Sequence, residues 1–236
     1  MKKLILCLST VLISLAIPTL TAKSPGPDIT LNRENRAAMD PQEAFLRLKE
    51  GNARFVSGKP LKRDLLAQAK ETSAGQYPFA AVVSCLDSRT STELIFDQGM
   101  GDVFNARLAG NVVDEDVLGS LEFACKAAGA KLIAVIGHTS CGAVKGAADQ
   151  VELGHLTQLL ARIQPAVASV KTEPGEARRS TNDAFVQRAA EANVRLQMKN
   201  IREKSPILKE LLAKGDVLLV GGIHDLKTGK VTFLEP

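Results

Sequence analysis

The chain has 236 residues, 45% of them hydrophobic and 24% charged. That balance suits one sizeable α/β core and excludes a disordered polymer. The net charge is only +4, and Lys and Arg form no run interleaved with aromatics (Arg178-Arg179 is a lone pair), so nucleic acid is not an expected partner. Aromatic residues make up 4%, with no Trp and the single Tyr77, which leaves packing to Leu, Val, Ile and Ala.

The first 22 residues stand apart. Met1-Lys2-Lys3 is a positive start, Leu4 to Leu20 is an apolar run broken by Pro18, and Ala22 offers a small residue for cleavage. This layout predicts a secretory signal peptide over residues 1–22. The mature protein is then exported, periplasmic or secreted, with a charge near +2 and no stable membrane span after processing. A retained anchor is the alternative, about 17 apolar residues being the short end of a spanning helix. Cys7 lacks the small residues that precede a lipid-acceptor cysteine. Residues 23–38 read as a polar linker or N-terminal arm, and residues 39–236 as a single domain.

Asp40-Pro41-Gln42-Glu43 is a helix start, with Asp as N-cap, Pro at the first helical position and Glu to complete a capping box. Phe45, Leu48, Asn52 and Phe55 share one stripe, so the helix runs to about Val56; a second helix covers Asp64 to Glu71. The period then changes. Phe79 to Cys85 is continuously apolar, as in a strand buried on both faces. Asp102 to Leu108, Lys131 to Gly137 and Asp216 to Gly222 are further strands, and Lys230 to Leu234 adds an edge strand after a Lys227-Thr228-Gly229 turn. Helical patterns cover Asp116 to Ala128 (with Gly129 as its stop), Gly142 to Gln150, Gly154 to Val170 and Thr181 to Lys204. Strands alternating with helices predict an α/β fold, a central, mostly parallel β-sheet flanked by helices.

Ligands of such sheets sit beyond the carboxyl ends of the strands. One predicted strand ends at Cys85 and another at Gly137-His138, with Cys141 three residues on. If the two strands are neighbours, Cys85, His138 and Cys141 meet at one rim. Two thiolates and an imidazole suit zinc, and three ligands leave a fourth position open. Spacing alone also allows buried apolar thiols, a disulfide or a core histidine. After signal removal the cysteines are Cys85, Cys125 and Cys141, an odd number that fits a disulfide framework less well than a thiolate pair on metal beside one buried Cys. Asp87 and Arg89 follow Cys85 in a Ser/Thr-rich turn, where Arg89 can hold the carboxylate bidentately. On residue type alone an exposed ion pair of little consequence is the plainer explanation.

Cys85-Leu86-Asp87-Ser88-Arg89 resembles the Cys-x-Asp-x-Arg signature of β-class carbonic anhydrases. Gly137-His138-Thr139-Ser140-Cys141-Gly142 is similar to the second signature of that family. Glu93 to Gly99, Gly101 to Phe104, Arg107, Ala109-Gly110-Asn111 and Asp225 to Gly229 continue the resemblance, in order, from about Pro41 onward. It implies one Zn2+ per chain on Cys85, His138 and Cys141, with Asp87 and Arg89 as a gating pair: Asp87 takes the fourth zinc position in a closed state and leaves it to water when Arg89 holds it. It also implies that Gln76 hydrogen-bonds substrate and that Phe104 forms an apolar wall. The implied reaction is the reversible hydration of carbon dioxide to bicarbonate and a proton by hydroxide formed on zinc, which brings the pKa of bound water from 15.7 to roughly 7. Two departures stand out: the Trp of an allosteric bicarbonate pocket is absent, and Phe123 replaces a Tyr. His155 and His224 read as structural. The family implies a homodimer or higher homo-oligomer, with the helix from Asp40 to Val56 as a candidate to wrap the partner. The alternatives are a hydrolase of carbonyl sulfide or carbon disulfide on the same scaffold, and a non-catalytic zinc-binding interaction protein.

Overall fold

The computed structural model describes residue 26 and residues 28–235, so the predicted signal segment lies outside the described residues. A five-stranded sheet has the order β2-β1-β3-β4-β5. Its strands are β1 (Ala80–Ser84), β2 (Val103–Arg107), β3 (Leu132–His138), β4 (Leu218–His224) and β5 (Val231–Phe233). Every pairing is parallel except β4 with β5, which is antiparallel. All residues of β1 and β3 are buried, as their unbroken apolar runs require, whereas β2 at the edge is only partly covered.

Helices cover both faces. α2 (Pro41–Val56) contributes Ala44 and Leu48 to the core on one face, packed with Phe79, Val82, Phe96 and Ile136. On the other, α9 (Asp183–Lys204) supplies Phe185, Val186, Val194 and Ile201 to a core with Ala81, Val83, Ile133 and Val135. α5 (Glu115–Glu122), α6 (Gly142–Ala148), α7 (Gly154–Ala161), α8 (Gln164–Ser169) and α10 (Pro206–Lys214) add to that same layer. α3 (Leu65–Glu71) and the short α4 (Thr92–Ile95) flank the loops around β1.

The expected elements are present with local differences. The expected arm contains α1 (Arg33–Ala38), capped by Asn32 and Asn35, with Arg36 donating to the Gly129 carbonyl at 2.8 Å. The helix expected over Gly154 to Val170 is two, because Pro165 lacks an N–H and begins a new helix at its second residue. α10 begins likewise at Pro206, capped by Ser205. The pattern from Asp116 runs as α5 and then widens into a π-helical turn over Phe123–Ala127.

Two polar contacts lock the α2 layer. Asn52 donates to the carbonyls of Ile95 and Gly229, each at 2.9 Å, and accepts from Val231 N–H at 2.8 Å. Asp97, with φ of 45°, is clasped by Arg54 and Arg63 and accepts from Leu61 N–H. Gly51 lets the helix approach this turn, since a Cβ there would stand 1.8 Å from the Phe96 carbonyl oxygen.

Burial alone would raise the Asp97 carboxyl, but Arg54, Arg63 and the Leu61 N–H outweigh it and hold it below its ordinary value. A depressed folded-state pKa stabilises the fold above the unfolded value and loses that contribution as pH falls through the folded one. Asp97→Asn should therefore cost about 3 kcal/mol in urea unfolding at pH 7. The gap between variant and wild type should begin to narrow only below about pH 4, the ordinary carboxylate value, and close once pH has fallen through the lower folded-state value.

Candidate metal centre

The chain leaves β1 for β2 on one side and reaches β3 on the other, so the carboxyl ends of β1 and β3 border a crevice that no crossover fills. Cys85 follows β1 directly, His138 is the last residue of β3, and Cys141 caps α6. Ser140, with φ of 53°, turns the chain back between the latter two. The ligand atoms of the three residues lie within 4.8 Å of one another, and all three residues are buried.

This donor set fits a metal. The two sulfurs are 4.0 Å apart, close to the roughly 3.8 Å between tetrahedral ligands about 2.3 Å from a zinc ion. The His138 Nδ1 hydrogen-bonds the Thr139 carbonyl at 2.9 Å, which fixes the tautomer and leaves Nε2 buried without a partner. Such an orphaned acceptor is costly unless a cation meets it. Cys85, Cys125 and Cys141 are all free thiols, so the disulfide alternative is not what the described residues form.

The protonation of the pair follows from its geometry. A hydrogen bond from the Cys141 thiol, with others from backbone N–H groups, holds Cys85 well below an ordinary thiol against the opposing effect of burial. The resulting charge on Cys85, together with burial, pushes Cys141 up. Cys125 sits apart in the core, pushed up to about 12 by burial, and is inert.

Asp87 stands at the mouth of the cluster. Its Oδ1 accepts from Arg89 N and Nε, both at 2.9 Å, and its Oδ2 from an Arg89 terminal nitrogen at 2.7 Å. That same Oδ2 lies 4.0 Å from His138 Nε2. These hydrogen bonds from Arg89 hold the carboxyl far below the usual carboxylate range.

Two residues without a sequence-derived role fix this loop. Arg107 donates to the carbonyls of Cys85, Leu86 and Asp87, at 3.1, 3.3 and 2.6 Å. The Thr90 hydroxyl donates to those of Cys85 and Asp87 at 3.0 and 2.9 Å. Gly110, with φ of 68°, aims its N–H at Cys85 Sγ at 3.3 Å. Arg107 and Gly110 stand within the stretches of family resemblance, but nothing in residue type shows which carbonyl or sulfur they serve.

Gln76 and Phe104 are not brought to the cluster within one chain. Gln76 is exposed before β1, at the end opposite Cys85. Phe104 pairs in register with Ala81, four residues before Cys85 and thus about 13 Å back along the strand. It faces Phe123 across a groove of about 480 Å³ between β2 and α5. His155 is exposed on α7. His224 is buried beside His138 in register, with neither ring nitrogen partnered among the described residues, and burial lowers its pKa.

Comparison with known proteins agrees with this geometry. Residues 80–231 match the family model described as carbonic anhydrase. Over 202 residues the chain is 36% identical to "Carbonic anhydrase 2" of Mycobacterium tuberculosis, covering 83% of this chain and 94% of that protein. A β-carbonic anhydrase structure from Aspergillus fumigatus is 25% identical, with a TM-score of 0.63 over 83% of this chain and 92% of that one. One described for the tetrameric β-carbonic anhydrases of Sordaria macrospora is similar in fold, at 24% identity and TM-score 0.62 over 71% and 85%. The chain belongs to the β-carbonic anhydrase family and is an enzyme of it, a lyase whose Cys85-His138-Cys141 group can hold a metal.

Metal binding should therefore stabilise the fold. With free zinc at 100 times its dissociation constant, thermal unfolding of the metal-stripped protein should show a gain of about 2.7 kcal/mol. The gain should vanish in Cys85→Ser and Cys141→Ser, which remove a ligand each.

Proposed function

We propose that the chain binds one Zn2+ through Cys85, His138 and Cys141 and hydrates carbon dioxide reversibly to bicarbonate and a proton. The observation that carries this reading is the convergence of two thiols and an orphaned imidazole nitrogen beside an arginine-held carboxylate. Zinc there would acidify a bound water and so supply hydroxide near neutral pH.

The protein's own groups have separable tasks. Thr139 orients the imidazole, and the Gly110 N–H offsets part of the thiolate charge. Asp87 and Arg89 are the gating pair. With Asp87 pinned on Arg89, its Oδ2 faces the cluster as a hydrogen-bond acceptor and would leave a bound zinc open to solvent. So acidic a carboxylate cannot store the released proton at neutral pH. It orients, and the proton passes on to buffer.

Gln76 and Phe104 would contact substrate only from a second copy of the chain, since in their own subunit they lie away from the cluster. This is in keeping with a homodimer or higher homo-oligomer, and the name of the Sordaria relatives says that they are tetrameric. The charged start and apolar run of residues 1–22 support export, to the periplasm or the medium. Among the described residues, no helix is long and apolar enough to cross a membrane.

Metal analysis and stopped-flow CO2 hydration of the mature chain at pH 7.5 and 9 test the reading. Near one zinc per chain, with hydration abolished in Cys85→Ser, is expected. Bound zinc without hydration at either pH would refute it and turn attention to carbonyl sulfide and carbon disulfide. Asp87→Asn should keep its zinc yet hydrate CO2 roughly 10- to 100-fold more slowly, the usual effect of losing a partner just outside the ligands.

A further inference from the structure

The buried stripe of α9 is apolar at Phe185, Val186, Ala189, Ala190, Val194 and Ile201, but Asn193 and Gln197 interrupt it with no exposed surface at all. Burying two amides is costly unless their polar atoms are paired, so their partners show what they are for. Gln197 Oε1 accepts from Val113 N–H at 3.0 Å and from Asn200 at 3.2 Å. Gln197 Nε2 donates to Asn193 Oδ1 at 2.9 Å, and Asn193 Nδ2 donates to the Gly110 carbonyl at 2.7 Å. Both amides are thus spent on the segment between β2 and α5.

That segment meets the metal cluster through a hydrogen bond, the Gly110 N–H on Cys85 Sγ at 3.3 Å. Gly110 lies in the left-handed region, and a Cβ there would meet Ile163 Cδ1 at 2.5 Å, so its conformation is held by packing as well. With its carbonyl tied to Asn193 and Val113 tied to Gln197, the turn has little freedom to rotate the N–H away from the sulfur. A hydrogen bond to a ligating thiolate draws electron density off it and weakens its donation to the metal.

We propose that Asn193 and Gln197 are positioning residues which aim the Gly110 N–H at Cys85 and so set how strongly that sulfur donates to a bound metal. The proposal rests on the reading of Cys85 as a ligand and adds a second row of control reaching into the middle of α9. It explains why two uncharged polar residues, four apart, occupy a helix face that packing alone would fill with Leu or Ala.

The test is the thiolate-to-cobalt charge-transfer band of the cobalt(II)-loaded mature chain, read beside metal content. Asn193→Leu should still take up one cobalt per chain. Its band should move to longer wavelength as the sulfur becomes richer in electrons, and hydration by the zinc form at pH 7.5 should fall roughly 10-fold. Val194→Ala, at an adjacent and equally buried position, should lose stability without moving the band. Should Asn193→Leu fail to fold, Gln197→Met leaves Asn193 in place but unbraced and should give a smaller shift in the same direction. A band at the wild-type wavelength in the folded variants, with cobalt fully bound, would overturn the proposal and leave the ligand assignment standing. A wild-type chain that takes up no cobalt or zinc would remove both.

Discussion

The metal cluster depends on the register between β1 and β3. Ala80 lies opposite Leu132 and Ser84 opposite Ile136, so Cys85 and His138 reach the same rim from strands of different lengths. A slip of one residue would move a ligand by about 3.3 Å, more than a zinc–sulfur bond, and would turn Cys85 toward the opposite face. Hydrophobic burial guards against this. Both strands are covered on both faces, and a slipped β1 would exchange Ala81 and Val83 between two differently shaped cores.

Around that register the molecule divides its polar groups by depth. Cys85, His138 and Cys141 are buried, and the unpartnered His138 Nε2 is left for a cation. The carboxylate that answers them stands outside, with Asp87 partly exposed and Arg89 largely so. Between the two layers, Arg107 and Thr90 hold the backbone carbonyls of residues 85–87. The loop is thereby rigid at Cys85, where displacement would break the cluster. It is less confined at the Asp87 side chain, which is partly exposed and held by the exposed Arg89.

Much of this was legible in the residues because it follows from periodicity and from chemically unusual side chains. The unbroken apolar runs at Phe79 and Lys131 announce strands buried on both faces, and a cysteine and a histidine at their carboxyl ends are conspicuous. Pro165 and Pro206 are equally plain as helix starts once the chain's direction is known, yet a smooth apolar pattern across Gly154 to Val170 hid the break between α7 and α8. α1 escaped notice because a six-residue helix with no buried residue has no stripe to read. Arg107 and Gly110 reach backbone carbonyls or a sulfur 20 or more residues away, and Thr90 serves carbonyls of its own loop; neither kind of contact leaves a trace in local pattern. Asn193 and Gln197 did leave one, as a polar pair four apart on an apolar face.

The choice of two thiolates sets an electrostatic problem for the surrounding shell. Relative to neutral imidazoles they bring negative charge into a buried site, which strengthens the hold on a dication but makes a bound water less acidic. The shell can relieve this only with donors aimed at sulfur or with positive charge nearby. Arg89 is committed to Asp87 and Arg107 to carbonyl oxygens, so neither guanidinium meets a thiolate directly. The relief comes from neutral N–H groups, which withdraw density without adding a charge that would repel the metal. A neutral donor works only when its direction is fixed, since a peptide N–H is a weak dipole that a modest rotation removes. That is why the segment bearing Gly110 is anchored from its carbonyl side by a buried amide rather than left as a free loop.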